Sequence, residues 1–176
     1  MLAVLTAGLI LGALLSAMVL WLLSGLLSPL PPELRHGAIV VAAVLALLRD
    51  TGVLRFPMPQ NARQIPQDVL QRDLMRGTLQ FGFELGTGVR TYVSASAPYV
   101  IALGVLLTGG TAVTAVAAGI GFGLGRALSP VARLASGDVG GWDVRLAGRL
   151  VPMNVTVCVA TAVAFAVTGW TTVRGG

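Results

Sequence analysis

Residues 2–27 read LAVLTAGLILGALLSAMVLWLLSGLL, a run without one charged side chain. An α-helix needs about 20 apolar residues to cross the hydrocarbon core of a bilayer. No basic segment precedes this run. It is also longer than the apolar core of a secretion signal, about 7–15 residues. It therefore reads as an uncleaved transmembrane helix. Ser28-Pro29-Leu30-Pro31-Pro32 ends it, because proline fixes φ and removes a backbone donor.

The rest of the chain agrees in character. Of 176 residues, 55% are hydrophobic and 11% charged, and the mean hydropathy is +0.84. Soluble domains carry about 25% charged residues, so this composition cannot cover a water-facing surface. Disorder is excluded too, since it requires low hydrophobicity and high charge. The expected class is an all-α polytopic membrane bundle rather than a barrel.

The expected spans work outward from the first. A second run, 37–48, is too short alone and takes in its flanks, about 33–54, with Arg49 snorkelling to the headgroups and Asp50 beside it. Between Pro66 and Arg76, apolar Val69, Leu70, Leu74 and Met75 alternate with Asp68, Arg72, Asp73 and Arg76, the pattern of a short amphipathic helix at the interface. Gly77 is a natural end for it. Residues 78–108 form one long apolar stretch interrupted by Glu84, Arg90 and Pro98, read as a discontinuous crossing. Further crossings follow at 111–128 and 150–170, separated by the polar stretch 129–149. Pro152 falls in the first turn of the last one, where proline is tolerated.

All twelve basic residues are Arg, and with seven acids the formal charge is +5. In a soluble chain that excess would suggest nucleic acid; in this one it follows the positive-inside rule, and no nucleic-acid partner is expected. If 78–108 cross once, Arg49, Arg55, Arg63, Arg72, Arg76, Arg126, Arg133, Arg145 and Arg149 share one side, against Arg35 and Arg174 on the other. Two crossings would split that set. The sequence thus predicts about five transmembrane helices in a single domain, N-terminus cytoplasmic, in the cell membrane.

Chemistry concentrates in Gly82-Phe83-Glu84-Leu85-Gly86-Thr87-Gly88-Val89-Arg90-Thr91-Tyr92. A charge at mid-bilayer costs about 2.5–3.5 kcal/mol on insertion scales. Glu84 lies about 10 Å past the cytoplasmic edge and Arg90 about 9 Å further in, at 1.5 Å per residue. On an unbroken helix their side chains point about 120° apart, so they meet only if the glycines break the helix. Non-helical backbone at such depth occurs where it is buried in protein or lines a cavity, and broken helices are where transporters hold ligands. The expected polar site comprises Glu84, Arg90, Thr87 and Thr91, with Tyr92 and Tyr99 either closing a pocket over it or hydrogen-bonding neighbouring backbone. Three roles fit it: a structural pair, a ligand, ion or proton site, or a contact to a second protein.

Gly8 with Gly12, Gly82 with Gly86, Gly119 with Gly123, and Gly121 with Gly125 have the i,i+4 spacing that lets helices approach closely. They serve packing within the chain, a homo-oligomer, or a partner membrane protein. The glycines at 119–125 do not complete a nucleotide-binding loop and follow no strand. Cys158 is the single cysteine and His36 the single histidine. No metal site or cofactor is expected, no hydrolytic triad is present, and the chain is not read as an enzyme.

Gly82-Phe83-x-x-Gly86, followed by small polar residues and Pro98, resembles the broken helix of the CcdA-like transmembrane thiol–disulfide transporters of cytochrome c biogenesis. The resemblance covers about 30 residues, and it implies a helical membrane bundle that moves electrons or small solutes. That family has a cysteine after the proline, where this chain has Tyr99. The distance from Gly86 to Pro98 is longer here, and the first helix lacks a Pro-Cys pair. The redox cysteines are thus absent. Two functions follow from the sequence: a small transporter-like or channel-like protein with an intramembrane polar site, or a non-catalytic accessory subunit that binds or assembles a partner membrane protein.

Overall fold

The computed structural model describes residues 1–55, 73–88 and 96–174. Those residues are all-α, with no strand among them. Six helices follow in order: α1 (Leu2–Ser24, continued by a 3₁₀ turn Gly25–Leu27), α2 (Pro32–Asp50), α3 (Leu74–Gly86), α4 (Ala97–Thr108), α5 (Ala112–Ala135) and α6 (Val139–Arg174). Two of them, α1 with its 3₁₀ extension (Leu2–Leu27) and α5, are long and apolar enough to cross a membrane.

Local chemistry sets most boundaries. Pro32 occupies the first turn of α2, with Glu33 beside it and Arg49 in the last turn, each charge matching its end of the helix dipole. Asp73 caps α3 by accepting from the backbone N–H groups of Met75 (3.0 Å) and Arg76 (3.2 Å). Ser96 precedes α4, which carries Pro98 in its first turn and ends at Gly109 in the left-handed conformation, φ 60°. Thr111 caps α5 through Thr114 N at 3.3 Å.

Two sequence expectations shift. Asp73 supplies a cap, so a helix begins at Leu74, and Gly77 lies buried inside α3 instead of ending an amphipathic helix there; residues 66–72 of that expected helix are outside the described residues. The stretch 129–149 is mostly helical. α5 runs to Ala135, Gly137 (φ 67°) turns the chain, and Asp138 Oδ1 accepts from Gly141 N at 2.9 Å to start α6. Pro152 therefore sits in the interior of α6, well past its first turn.

The helices fall into two compact units interleaved along the chain. The first holds residues 1–19 of α1, then α3, α5 and the start of α6. Its tightest contacts set glycine edges against backbone. A Cβ built at Gly8 would fall on Leu79 O, and at Gly12 on Phe83 O. Reciprocally, a Cβ at Gly82 would meet Leu5 O, and at Gly86 Leu9 O. On α5, a Cβ at Gly123 would stand 2.8 Å from Ile10 Cα, and at Gly119 3.1 Å from Ala13 O. Helix α1 is thus flanked by glycine edges of two other helices, which lets the backbones approach closely. Arg133 forks onto both carboxylate oxygens of Asp143 (2.9 and 2.7 Å) and ties α5 to the start of α6.

The second unit holds the end of α1, α2, α4 and α6 from Leu146. Ala43, Ala46, Ala97, Val100 and Cys158 form its core, with Leu47 packed against them. Trp21 Nε1 donates to Gly110 O at 2.8 Å, and Arg35 lies beside Gly109 at the C-terminus of α4. A guanidinium suits the negative end of that helix.

Candidate functional site: a buried carboxylate between three helices

The expected site divides between described and undescribed residues. Arg90, Thr91 and Tyr92 lie outside the described residues. Glu84 is half-buried on α3, and its Oε1 accepts from Gln80 Nε2 at 3.1 Å, one helical turn away. Thr87 follows α3; its hydroxyl donates to Glu84 O (2.8 Å), and its own carbonyl accepts from Ser16 Oγ of α1 (3.0 Å). Ser16 thereby satisfies a carbonyl that the helix end leaves open. Gly88, at φ 71°, turns the chain out of α3. Tyr99 belongs to the second unit, in the first turn of α4, whereas Glu84 and Thr87 belong to the first.

Among the described residues, the densest polar cluster lies elsewhere, in the second unit. Asp50 is the last residue of α2, and its side chain is 1% exposed. Its Oδ1 accepts from Ser96 Oγ (2.7 Å) and Arg49 Nη1 (3.2 Å). Its Oδ2 accepts from Ser96 N (2.9 Å) and, at 3.5 Å, from the Cys158 thiol of α6. Arg49 Nη1 also donates to Ser96 Oγ at 3.0 Å, and its side chain is 20% exposed. One carboxylate thus joins the end of α2, the start of α4 and the middle of α6.

At the C-terminus of α2 an acid opposes its own helix dipole, but the same group sits at the N-terminus of α4, whose dipole attracts it. A buried carboxylate persists only when paired and hydrogen-bonded, and both oxygens of Asp50 are so supplied. Cys158, 2% exposed and packed among alanines, acts as a small apolar residue with one weak donor.

Sequence reasoning placed Arg49 and Asp50 at a water edge and did not link them to Ser96 or Cys158. Two local signals were available. An acid in the last turn of a helix implies a compensating partner, and Ser96-Ala97-Pro98 has the form of a helix start with an open N–H. Neither signal names the partner, because Ser96 is 46 positions and Cys158 108 positions away from Asp50. Among the described residues no three His, Cys, Asp or Glu side chains stand together as a metal site.

The chain matches no known family model, and no curated protein or solved structure matches it.

Proposed function

We propose that this chain is an integral membrane protein acting as a non-catalytic accessory subunit, which offers apolar helices to a partner within the bilayer. The observation that carries the reading is the distribution of side-chain size. Buried apolar positions are mostly alanine (Ala13, Ala17, Ala43, Ala46, Ala97, Ala115, Ala127), and the tightest contacts are glycine on backbone. The large side chains face outward, with Leu15, Leu22, Val41, Val44 and Leu128 all exposed. In water such an exterior would aggregate. In lipid it is the expected solution, because helix association there relies on close packing of small residues. The proposal includes five crossings, with 78–108 counted as one discontinuous span and the N-terminus cytoplasmic. The redox role implied by the CcdA-like resemblance requires a thiol pair, and this sequence has one cysteine.

A second reading, a transporter-like or channel-like protein, draws on Glu84 and Thr87 at the end of α3, where helix gives way to a glycine turn. The two readings differ in water access. Thr87→Cys in a Cys158→Ser background, in sealed vesicles, is treated with a charged, membrane-impermeant thiol reagent. The accessory reading expects no labelling from either side, while Ser28→Cys in the same background labels readily. Labelling at position 87 at a comparable rate would replace it with the transport reading.

A further inference from the structure

The other end of the α2–α4 pair is built but not closed. Arg35, near the start of α2, lays its guanidinium beside Gly109, with Nη1 3.1 Å from where a Cβ at that position would stand. The bare glycine makes the room. Arg35 Nε is buried without a hydrogen-bond partner, and the side chain forms no ion pair among the described residues. A guanidinium can only donate, and a buried donor without an acceptor is costly. Glu33, in the same helix turn, stands two positions back, a spacing that does not face Arg35 on a helix. Arg35 is only half-buried, so its outer N–H groups are open to a ligand.

Beside these donors lie acceptors that are equally open. Gly109 ends α4 in the left-handed conformation, yet among the described residues neither it, Gly110 nor Thr111 returns a backbone N–H to the helix. The carbonyls that close α4 are left uncapped, at the negative pole of its dipole. Trp21 Nε1 reaches past them, to Gly110 O at 2.8 Å. A phosphate alone would satisfy Arg35 and be repelled by the helix end, and a cation alone would do the reverse. A group that carries both an anion and an N–H donor satisfies both.

We propose that this corner binds the headgroup of a phosphatidylethanolamine lipid, its phosphate on Arg35 and its ammonium on the last carbonyls of α4. Residues 28–34 are exposed, and the large apolar side chains of Leu22, Leu26 and Leu34 among the flanking residues face outward, as acyl chains require. A choline headgroup has the same phosphate and charge but no N–H, so it loses the second half of the site. The inference rests on the membrane reading above, and not on the choice between accessory subunit and carrier.

The full-length protein in a non-ionic detergent is titrated with dioleoyl lipids and followed by native mass spectrometry. The series is phosphatidylethanolamine, its N-methyl and N,N-dimethyl forms, phosphatidylcholine and phosphatidylglycerol. The wild type is expected to bind phosphatidylethanolamine about fivefold or more tighter than phosphatidylcholine, the worth of one net hydrogen bond, with affinity falling in step with methylation. Arg35→Gln is expected to lose the tight binding and keep only the level that all these lipids share. Arg76→Gln, an equal charge loss at an exposed arginine of the first unit, is expected to leave the preference intact. Equal binding of phosphatidylethanolamine and phosphatidylcholine overturns the proposal and leaves Arg35 to a carboxylate of a partner protein. Phosphatidylglycerol bound as tightly as phosphatidylethanolamine overturns it too, since phosphate alone would then suffice. So does a helical, monodisperse Arg35→Gln protein that keeps the preference; should that variant fail to fold, the wild-type lipid series decides alone. A chain that leaves membranes in alkaline carbonate overturns the membrane reading along with the site, whereas one that stays but binds all the lipids alike overturns the site only.

Discussion

At the level of single residues, the three-helix cluster makes Ser96 a stronger determinant of stability than its size suggests. Its backbone N–H and its hydroxyl both serve Asp50. Ser96→Ala removes one donor from a buried carboxylate, and leaving a buried group short of a partner costs about 1–3 kcal/mol. A thermal melt of the detergent-solubilised protein should shift down accordingly. Asp50→Ala goes further, since it removes the carboxylate that Arg49, Ser96 and Cys158 share and opens the N-terminus of α4; breaking a buried pair costs about 3–5 kcal/mol. Cys158→Ser should retain most of the stability that Cys158→Ala loses, because the hydroxyl still donates to Oδ2. These roles were only partly legible. Arg49 and Asp50 are visible as charges at an apolar edge, but nothing local to them identifies Ser96 or Cys158, which join them through tertiary contact alone. Glu84 and Thr87 were legible as polar residues within an apolar run. What they bond to, Gln80 one turn back and Ser16 on another helix, divides into a contact that helical periodicity gives and one that it does not.

At the level of helices, the glycines separate into used and unused edges. The spacing of all four pairs was readable from the sequence; which neighbour each meets was not, since spacing marks a flat face without naming what lies on it. Gly8, Gly12, Gly82, Gly86, Gly119 and Gly123 stand against the backbone of another helix. Gly121 and Gly125, on the outer side of α5, have nothing within 4 Å of an added Cβ. Gly12→Ala should therefore force α1 and α3 apart at a cost of about 1–3 kcal/mol, as overpacking does. Gly125→Ala should be neutral or stabilising by up to about 1 kcal/mol through helix propensity. Comparing the two melts checks both. Helix ends were legible where a side chain caps them, and misplaced where the expected stop was a glycine. Gly77 lies within α3 because Asp73 had already started the helix and small size at position 77 serves burial there. Likewise the 129–149 stretch is polar yet helical, with Arg133 and Asp143 spending their charge on each other instead of solvating a loop.

At the level of the whole molecule, the described large side chains lie mostly outside and the buried apolar ones are mostly small, so enlargement is tolerated on outer faces and costly in the cores. Val41→Leu, on an exposed position, should leave the melting temperature unchanged, whereas Ala43→Leu, in the core of the second unit, should destabilise by about 1–3 kcal/mol. The helical class was legible from composition, because runs such as 2–27 admit no other reading. The partition into two units was not, since each gathers segments far apart in sequence. The position of α1 has one more consequence, and it concerns timing. As the chain emerges from the ribosome, the Gly8–Gly12 edge finds its match once residue 86 has been made. The neighbouring edge of Ile10 and Ala13 stays bare until Gly119 and Gly123 arrive more than thirty positions later. Helix α1 is thus completed in two instalments, and a ribosome stalled between them would leave its second edge open to whichever other helix passes first.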